Sequence, residues 1–255
     1  TNRTRPIVDV FGSRTSRVHL RSPSLQNISK KYRSIIAASE GAKLSYVDYD
    51  QYEVGIMAAL SGDLELKKLF AAGDMYELFA STNLGLAGNR KAAKQLFLSY
   101  AYGMSRKALI DAAVSLGAKR SRAKEAFRLF SRYEEWKRSV WAEFENEGQI
   151  RTLMGNHFKR SRSGPLTGKE QRSAVSQVVQ GTASLIFKKA LLAVDPLNDV
   201  KIVLPMHDAL LFGHEKADTP EKVVEAFETV MTDVLENRVK GKASISEFVP
   251  AAASA

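Results

Sequence analysis

The stretch Leu44–Asp63, LSYVDYDQYEVGIMAALSGD, decides the fold because its hydrophobic period changes partway along. The residues before Asp48 are typical of a short apolar strand: Leu44, Tyr46 and Val47. From Gln51 onward the apolar residues follow helical spacing: Val54, Met57, Ala58 and Leu60. Asp48 is therefore predicted where a strand gives way to a helix, so that its carboxylate is held at a sheet edge. The alternative is that Asp48 or Asp50 only caps the helix.

The composition indicates a folded domain with an anionic partner. The chain has 255 residues, of which 44% are hydrophobic, enough for a substantial core. Lys and Arg number 38 against 28 acidic residues, a net charge of +10. This charge favours nucleic acid as the partner, although a basic protein without one stays possible.

Other features exclude whole classes of site. The chain has no cysteine, which excludes disulfides and thiolate metal sites. No apolar run is long enough for a membrane span, so we expect no membrane partner, and we expect no signal peptide. The sequence begins at Thr1 rather than Met, so we expect a trimmed, processed or partial chain.

The N-terminal segment carries much of the positive charge. Its first 39 residues include one acid, Asp9, and eight basic residues: Arg3, Arg5, Arg14, Arg17, Arg21, Lys30, Lys31 and Arg33. Gly, Ser and Thr interrupt any helical pattern, so short strands and loops that could lie against phosphates are predicted. A solvated basic arm is the alternative.

A helix beginning near Asn89 is predicted to carry a functional stripe. Its members are each four residues apart: Arg90, Lys94, Leu98 and Tyr102. Two cations followed by an apolar and an aromatic side chain would suit a nucleotide lying along the helix. The alternative is an ordinary amphipathic helix with its cations in water.

The rest of the chain is predicted to be mixed helix and hairpin. One long helix is expected over Ser121–Glu147 and another over about Lys169–Val194. Strands at Ile150–Met154 and His157–Arg160 would form one hairpin. A second hairpin, Lys201–Met206 with Ala209–Gly213, would place His207 and Asp208 at its turn.

Three of these stretches, in this order, resemble the signature motifs of DNA polymerase family A, the bacterial DNA polymerase I type. Leu44–Asp63 resembles motif A, Arg90–Ser105 (RKAAKQLFLSYAYGMS) motif B, and Pro205–Phe212 (PMHDALLF) motif C. Smaller matches are Thr15–Ser29 (TSRVHLRSPSLQNIS) and Arg172–Ala183 (RSAVSQVVQGTA). The resemblance covers almost the whole chain.

The resemblance implies an α+β fold with an antiparallel palm sheet and an inserted, all-helical fingers subdomain. The palm is expected over residues 1–63, with motif A, and 148–255, with motif C. The fingers are expected over 64–147, with motif B. No stretch resembles a thumb or exonuclease domain, so we expect another polypeptide to supply these parts, or a minimal or truncated polymerase.

The resemblance also implies a catalytic apparatus for nucleotidyl transfer. Two Mg²⁺ ions, with Mn²⁺ as a possible substitute, would be held by Asp48, Asp208 and the backbone carbonyl of Tyr49. Lys94 would donate a proton or a charge to the leaving pyrophosphate. The catalytic residues expected are thus Asp48, Asp208 and Lys94.

Further residues are implied as contacts to nucleotide and DNA. Arg90 would hold the γ-phosphate side of a dNTP, and Glu53 with Tyr102 would exclude a ribose 2′ hydroxyl. The remaining nucleotide contacts expected are Lys94, Leu98, Gln51 and Tyr76. The primer-template DNA contacts expected are Arg17, Gln26, Arg172, Ser176, Gln180 and His207.

This chain departs from the family pattern at four positions. Leu98 stands where Phe or Tyr is usual, so packing on the sugar loses its ring. Ala209 replaces the second acid of motif C. Tyr76 stands where a phosphate-contacting histidine is usual, and Ser176 where asparagine is usual.

Two functions remain open from sequence. The first is a template-directed DNA polymerase core in the cytoplasm of a bacterial or phage-infected cell, or in an organelle. The second is a polymerase-derived, non-catalytic DNA-binding or scaffold subunit of a larger complex. The four retained residues Asp48, Asp208, Arg90 and Lys94 favour the first.

Overall fold

A computed structural model describes residues 3–249 and divides the chain into two compact units. Of the described residues, 3–52 and 180–249 form the first unit and 53–179 form the second. The expected α+β class, with an antiparallel sheet and a helical insertion, is confirmed. The palm and fingers boundaries expected at residues 63/64 and 147/148 stay predictions, because compactness does not define function.

The first unit is built on a four-stranded antiparallel sheet with the order β6-β7-β3-β8. Its strands are β3 (Lys43–Tyr49), β6 (Lys201–Met206), β7 (Ala209–His214) and β8 (Ala243–Ser246). A separate N-terminal pair contains β1 (Ile7–Asp9) and β2 (His19–Arg21). All residues of β7 are buried, as expected for a central strand covered on both faces.

Different side chains cover the two faces of this sheet. On one face, a cluster of buried residues contains Leu20, Leu204, Met206, Ala209, Leu211 and Phe248. On the other face, aromatic contacts join Tyr49 to Phe227 of α9 (Thr219–Val234) at 4.8 Å between ring centroids. Phe227 in turn contacts Phe187, on the part of helix α8 that belongs to this unit. This packing fixes the end of β3 that carries Asp48.

The second unit is mainly helical. Its elements are α2 (Leu64–Ala71), α3 (Met75–Leu78), a π-helical turn (Phe79–Leu84), α4 (Arg90–Ala101), α5 (Arg106–Ser115), α6 (Arg120–Ala126), α7 (Ser131–Glu147) and a hairpin of β4 (Gln149–Arg151) with β5 (His157–Lys159). Helices α1 (Tyr52–Ser61) and α8 (Gly168–Val194) contribute residues to both units. Between residues 3 and 249, no helix has the length and apolar character needed to cross a membrane.

The single helix predicted over Ser121–Glu147 is wrong, because the chain breaks between α6 and α7. Phe130, at the start of α7, has the non-helical angles φ −94° and ψ 53°. Phe127 and Phe130 are both fully buried, and each ring contacts Phe79 and Tyr100. Burial of both rings in this aromatic cluster outweighs the helical pattern of the sequence.

Asp63, the last residue of motif A, supplies the acceptors that start two helices. Its Oδ1 accepts from the backbone N–H of Leu66 at 3.0 Å, which caps α2. Its Oδ2 accepts from the backbone N–H of Tyr133 at 3.0 Å, in the first turn of α7. Because Asp63 is only 2% exposed, neither N–H group has ready access to water if the carboxylate is removed.

We expect Asp63→Ala to lower the free energy of unfolding of the second unit by about 3 kcal/mol, because two helices lose a buried acceptor. Urea unfolding followed by tryptophan fluorescence measures this, since both tryptophans, Trp136 and Trp141, lie on α7. The control is Glu65→Ala on the solvent side of α2, with an expected change within about 0.5 kcal/mol. Equal losses in the two variants would contradict the double cap.

Candidate functional site

The two predicted metal-binding carboxylates lie at adjacent positions of the sheet in the first unit. The antiparallel register pairs Asp48 of β3 with Ala209 of β7. Asp208 directly precedes Ala209 and lies in the two-residue turn, His207–Asp208, that joins β6 to β7. The hydrogen-bonded ladder therefore fixes both carboxylate-bearing residues at one end of the sheet, Asp48 half-buried and Asp208 exposed.

Electrostatics also link the two carboxylates. Burial, the Asp48 charge and the Asp208 charge together raise the pKa of Tyr46 to about 12, while the Arg33 charge opposes this rise. Tyr46 lies two residues before Asp48 on β3 and hence on the same face. One tyrosine thus experiences both negative charges, as expected if both carboxylates border the same small region.

Two strained residues flank the carboxylates. Gln51, between β3 and α1, has φ +51°, and His207, beside Asp208, has φ +40°. Both values lie in the left-handed region, which non-glycine residues rarely adopt. Such strain persists only where the surrounding structure enforces it, and it concentrates at functional sites. Gln51 and His207 are themselves predicted nucleotide and DNA contacts.

The end of β3 is held by aromatic packing and side-chain hydrogen bonds. The Tyr49 ring stacks on the Tyr52 ring at 4.1 Å between centroids, and its hydroxyl donates to the Phe227 carbonyl at 3.0 Å. The Tyr52 hydroxyl donates to the Ala183 carbonyl at 2.6 Å. These contacts fix the Tyr49 backbone, whose carbonyl is the third predicted metal ligand.

The side chain of Asp50, which the sequence offered as a possible helix cap, accepts a hydrogen bond from a strand. The Ser244 hydroxyl donates to Asp50 Oδ1 at 2.8 Å, which directs the Asp50 side chain toward β8. The side chain of Asp50 thus connects the residue after Tyr49, the last residue of β3, to β8.

The donor set of this site suits magnesium. Carboxylate and carbonyl oxygens are hard ligands, and Mg²⁺ keeps several waters or substrate oxygens in its shell, so two carboxylates are a sufficient protein contribution. Over residues 3–249, no cluster of three or more His, Cys, Asp or Glu side chains could hold a metal by itself.

Within the second unit, the predicted stripe begins on a capped helix. The Asn89 side chain accepts from the backbone N–H of Ala92 at 3.3 Å, which starts α4. The Arg90 guanidinium and the Lys94 ammonium each lie 5.6 Å from the centroid of the Tyr76 ring. The two cations thus share one buried aromatic platform, with their charged groups open to solvent.

The Tyr76 phenol stays neutral at physiological pH. Burial is the main cause that raises its pKa, and the Glu53 charge adds to the rise. A histidine at this position would titrate near neutral pH, whereas this tyrosine adds no positive charge. The departure from the expected pattern at position 76 therefore leaves an uncharged ring there.

A hydrogen bond joins Glu53 and Tyr102, the two residues of the predicted sugar gate. The Tyr102 hydroxyl donates to Glu53 Oε2 at 2.6 Å. Both side chains are half-buried, and Leu98, one helical turn before Tyr102, is half-buried as well. The hydrogen bond from the phenol restricts the Glu53 side chain, and the sugar gate itself stays a prediction.

The predicted DNA-binding residues differ in how their side chains are used. Gln26 is buried, and its amide contacts three backbone groups: it accepts from Leu20 N at 3.1 Å and donates to the carbonyls of Val18 at 3.0 Å and Pro205 at 3.1 Å. Its amide therefore connects the N-terminal segment to β6 beside motif C. A DNA contact by Gln26 stays a prediction.

Arg17 is half-buried, and its backbone is held by Ser13 and Gly12. Arg172 is exposed on α8, and Ser176 and Gln180 follow at intervals of one helical turn. The Arg172 side chain lies 3.7 Å from where a β-carbon on Gly103 would be, at the end of motif B. Two stretches that resemble polymerase motifs thus meet within the second unit.

One residue beside the predicted nucleotide contacts was missed by sequence reasoning. Asp74 Oδ2 lies 2.5 Å from Arg90 Nε, an ion pair at the start of the stripe. The available signal was an aspartate after Gly73 at a helix start, but that pattern indicates only a cap.

Comparison with known sequences finds matches over most of this chain. The model of the family "DNA polymerase family A" matches residues 1–247. DNA polymerase I of Rhizobium leguminosarum is 26% identical over an alignment of 270 positions, which covers 94% of this chain and 26% of the relative. DNA polymerase I of Aquifex aeolicus is 28% identical over 250 residues, which cover 90% of this chain and 42% of the relative.

A solved structure gives a similar result. The POL domain of Pol1 from M. smegmatis, in complex with DNA primer-template and dNTP, superimposes with a TM-score of 0.76 at 25% sequence identity. The match covers 95% of this chain and 47% of that chain. The present chain thus spans about half of that structure and less than half of the curated relatives named above.

We expect His207→Gly to keep the free energy of unfolding or raise it by up to about 1 kcal/mol, because glycine adopts φ +40° without strain. Urea unfolding followed by circular dichroism tests this. The control is Ser246→Gly on β8, where loss of a side chain at an extended position should cost roughly 0.5–1 kcal/mol. A greater loss for His207→Gly than for the control would show that the turn is not strained.

Proposed function

This chain belongs to DNA polymerase family A, and we propose that it adds deoxyribonucleotides to the 3′ hydroxyl of a primer on a DNA template. The observation that carries the proposal is the β3–β7 register, which makes Asp48 and Asp208 neighbours at the end of one sheet. A carboxylate pair on a rigid ladder, flanked by the strained residues Gln51 and His207, fits a site for metal-assisted phosphoryl transfer.

The carboxylates act by position and charge. Asp48 and Asp208, with the Tyr49 carbonyl, would hold two Mg²⁺ ions, or Mn²⁺ in their place. When bound, these ions supply Lewis-acid stabilisation of the attacking and leaving oxygens. The sheet holds both carboxylate-bearing residues in place, so that little reorganisation is needed at the moment of reaction.

The stripe on α4 binds the triphosphate. Arg90 contacts the γ-phosphate side through its planar guanidinium, and Lys94 neutralises the developing charge on pyrophosphate or donates a proton to it. The Tyr76 ring keeps both cations on the same side of α4. Leu98 packs against the sugar without the ring usual in the family, so that this contact is weaker.

The sugar gate decides between deoxyribose and ribose. The Glu53 carboxylate, held by the Tyr102 hydroxyl, fills the space beside the 2′ carbon of the sugar. A ribose 2′ hydroxyl would clash with it. The proposed substrates are therefore dNTPs.

The proposed macromolecular partner is primer-template DNA, in line with the complex of the M. smegmatis protein. Arg17, Arg172, Ser176, Gln180 and His207 are the proposed contacts, with Gln26 as a support. A net charge of +10 supplies the attraction to phosphates, so binding should weaken as salt rises. A cytoplasmic location and a second polypeptide with the thumb and N-terminal domains stay predictions.

The second candidate function is a non-catalytic DNA-binding or scaffold subunit. The observations that favour it are Ala209, in place of the second acid of motif C, and Leu98. Such a subunit has no need of strained residues beside a carboxylate pair or of a hydrogen-bonded gate. We therefore favour the enzyme.

We expect Asp48→Ala and Asp208→Ala each to abolish primer extension, because each removes a ligand that the proposed metal ions share. DNA affinity should stay within about threefold of the parent, since phosphate contacts come from Lys and Arg. Extension assays and DNA titration measure the two quantities. The control is Asp195→Ala, which removes an exposed aspartate of the first unit. This variant should extend the primer at the parental rate. Primer extension by Asp208→Ala at near the parental rate would contradict the assignment of Asp208 as a shared metal ligand.

We expect Glu53→Ala to raise the efficiency of ribonucleotide incorporation relative to deoxyribonucleotide by about 10-fold or more, because the barrier beside the 2′ carbon is removed. The measurement is the ratio of kcat/KM for the two nucleotides. Tyr102→Phe keeps the ring but loses the hydrogen bond to Glu53, and should give a smaller rise. An unchanged ratio in Glu53→Ala would show that this glutamate is not the gate.

A further inference from the structure

Asp74 places a negative charge beside residues proposed to bind polyphosphate. Its Oδ2 pairs with Arg90 Nε at 2.5 Å, and Arg90 and Lys94 share the Tyr76 platform. We call Arg90, Lys94 and Tyr76 the polyphosphate seat. A site meant only to attract anions would gain nothing from a carboxylate at this position.

The carboxylate is fixed by the helix that it caps. Asp74 Oδ1 accepts from the backbone N–H groups of Tyr76 at 3.0 Å and Glu77 at 3.1 Å, which start α3. These two backbone hydrogen bonds fix the orientation of the Asp74 carboxylate, so that Oδ2 is held toward Arg90. The partial burial of Asp74 opposes its ionisation, but the hydrogen bonds from Arg90 and the two N–H groups lower its pKa below the ordinary value.

The pair leaves Arg90 able to bind an anion. Arg90 uses Nε for Asp74, and over residues 3–249 its two terminal nitrogens have no hydrogen-bond partner. The end of the guanidinium can therefore form two hydrogen bonds to a phosphate while Nε stays on Asp74. Asp74 and a phosphate can therefore bind Arg90 at the same time. Asp74 orients the guanidinium without blocking its two terminal nitrogens.

We propose that Asp74 is the resident counter-ion of the polyphosphate seat, which orients Arg90 and limits how tightly the seat retains a polyphosphate, including the pyrophosphate product. The inference rests on the proposed function, because it takes Arg90 and Lys94 as the triphosphate contacts. With Asp74 ionised, the two cations carry a net charge of +1 instead of +2, and Tyr76 adds none.

The charge balance has opposite effects on binding and release. A carboxylate roughly 6 Å from a phosphate weakens its binding by about three- to tenfold if the effective dielectric constant at these solvent-exposed side chains is about 40–80. The substrate is bound more weakly, but the pyrophosphate also leaves faster. A replacement that removes the Asp74 charge and keeps the cap should therefore tighten the binding of polyphosphate, whereas damage to the fold can only weaken it.

The test uses inorganic tripolyphosphate and the whole chain without DNA, by calorimetry at low salt. Asp74→Asn keeps a capping acceptor and removes the charge, so its dissociation constant should fall about three- to tenfold. The matched control is Glu77→Gln, which removes a charge from the same helix. Glu77 accepts from Gly88 N and does not pair with Arg90, so the change should be under about twofold.

A kinetic readout accompanies the binding measurement. In primer extension, Asp74→Asn should lower KM for the dNTP and strengthen inhibition by added pyrophosphate, without raising kcat. Asp74→Ser, which also keeps a capping oxygen, should behave in the same way and serves if the Asn variant is poorly folded.

The outcomes separate the inference from the proposed function. If Arg90→Ala binds tripolyphosphate as tightly as the parent, the seat is wrong and the proposed nucleotide contacts fail with it. If Arg90→Ala binds more weakly while Asp74→Asn and Asp74→Ser bind as the parent does, or more weakly, the seat stands and the counter-ion role is overturned. The counter-ion role would also be overturned if Glu77→Gln tightened tripolyphosphate binding as much as Asp74→Asn does. The effect would then come from net charge alone.

Discussion

The antiparallel pairing of β3 with β7 is the constraint on which the candidate active site depends. It runs in one register from Lys43 opposite His214 to Asp48 opposite Ala209. A slip of one residue would turn Asp48 to the other face of the sheet and would move the apolar side chains of the fully buried β7 to the wrong sides. Core packing and the position of the carboxylate are therefore enforced together, so that the stability of the sheet maintains the geometry of the site.

The features that follow from local sequence were predictable. The change of hydrophobic period after Asp48 located the end of β3, and two apolar runs around His207 and Asp208 located the hairpin that carries the second carboxylate. The four-residue spacing from Arg90 to Tyr102 located the stripe on α4. Each of these signals lies within about a dozen residues, where periodicity and turn chemistry dominate.

The features that depend on distant partners were not predictable. Asp63 accepts a hydrogen bond from the backbone N–H of Tyr133, 70 residues away, in the first turn of α7. The burial of Phe127 and Phe130 breaks the predicted long helix. The hydrogen bond from the Gln26 amide to the Pro205 carbonyl, 179 residues away, was not predicted either, and a DNA contact by Gln26 stays a prediction. The pairing of Asp74 with Arg90 is likewise a tertiary contact, which helical spacing does not encode.

The most direct test of the account is single-nucleotide primer extension by this chain on four templates that differ only in the next base. Each template should be extended with the complementary dNTP in the presence of Mg²⁺, and a chelator should stop the reaction. This result requires the carboxylate pair, the triphosphate contacts and DNA binding to work on one substrate. If the chain binds the primer-template but adds no nucleotide with Mg²⁺ or Mn²⁺, or adds nucleotides without regard to the template base, the polymerase account is contradicted.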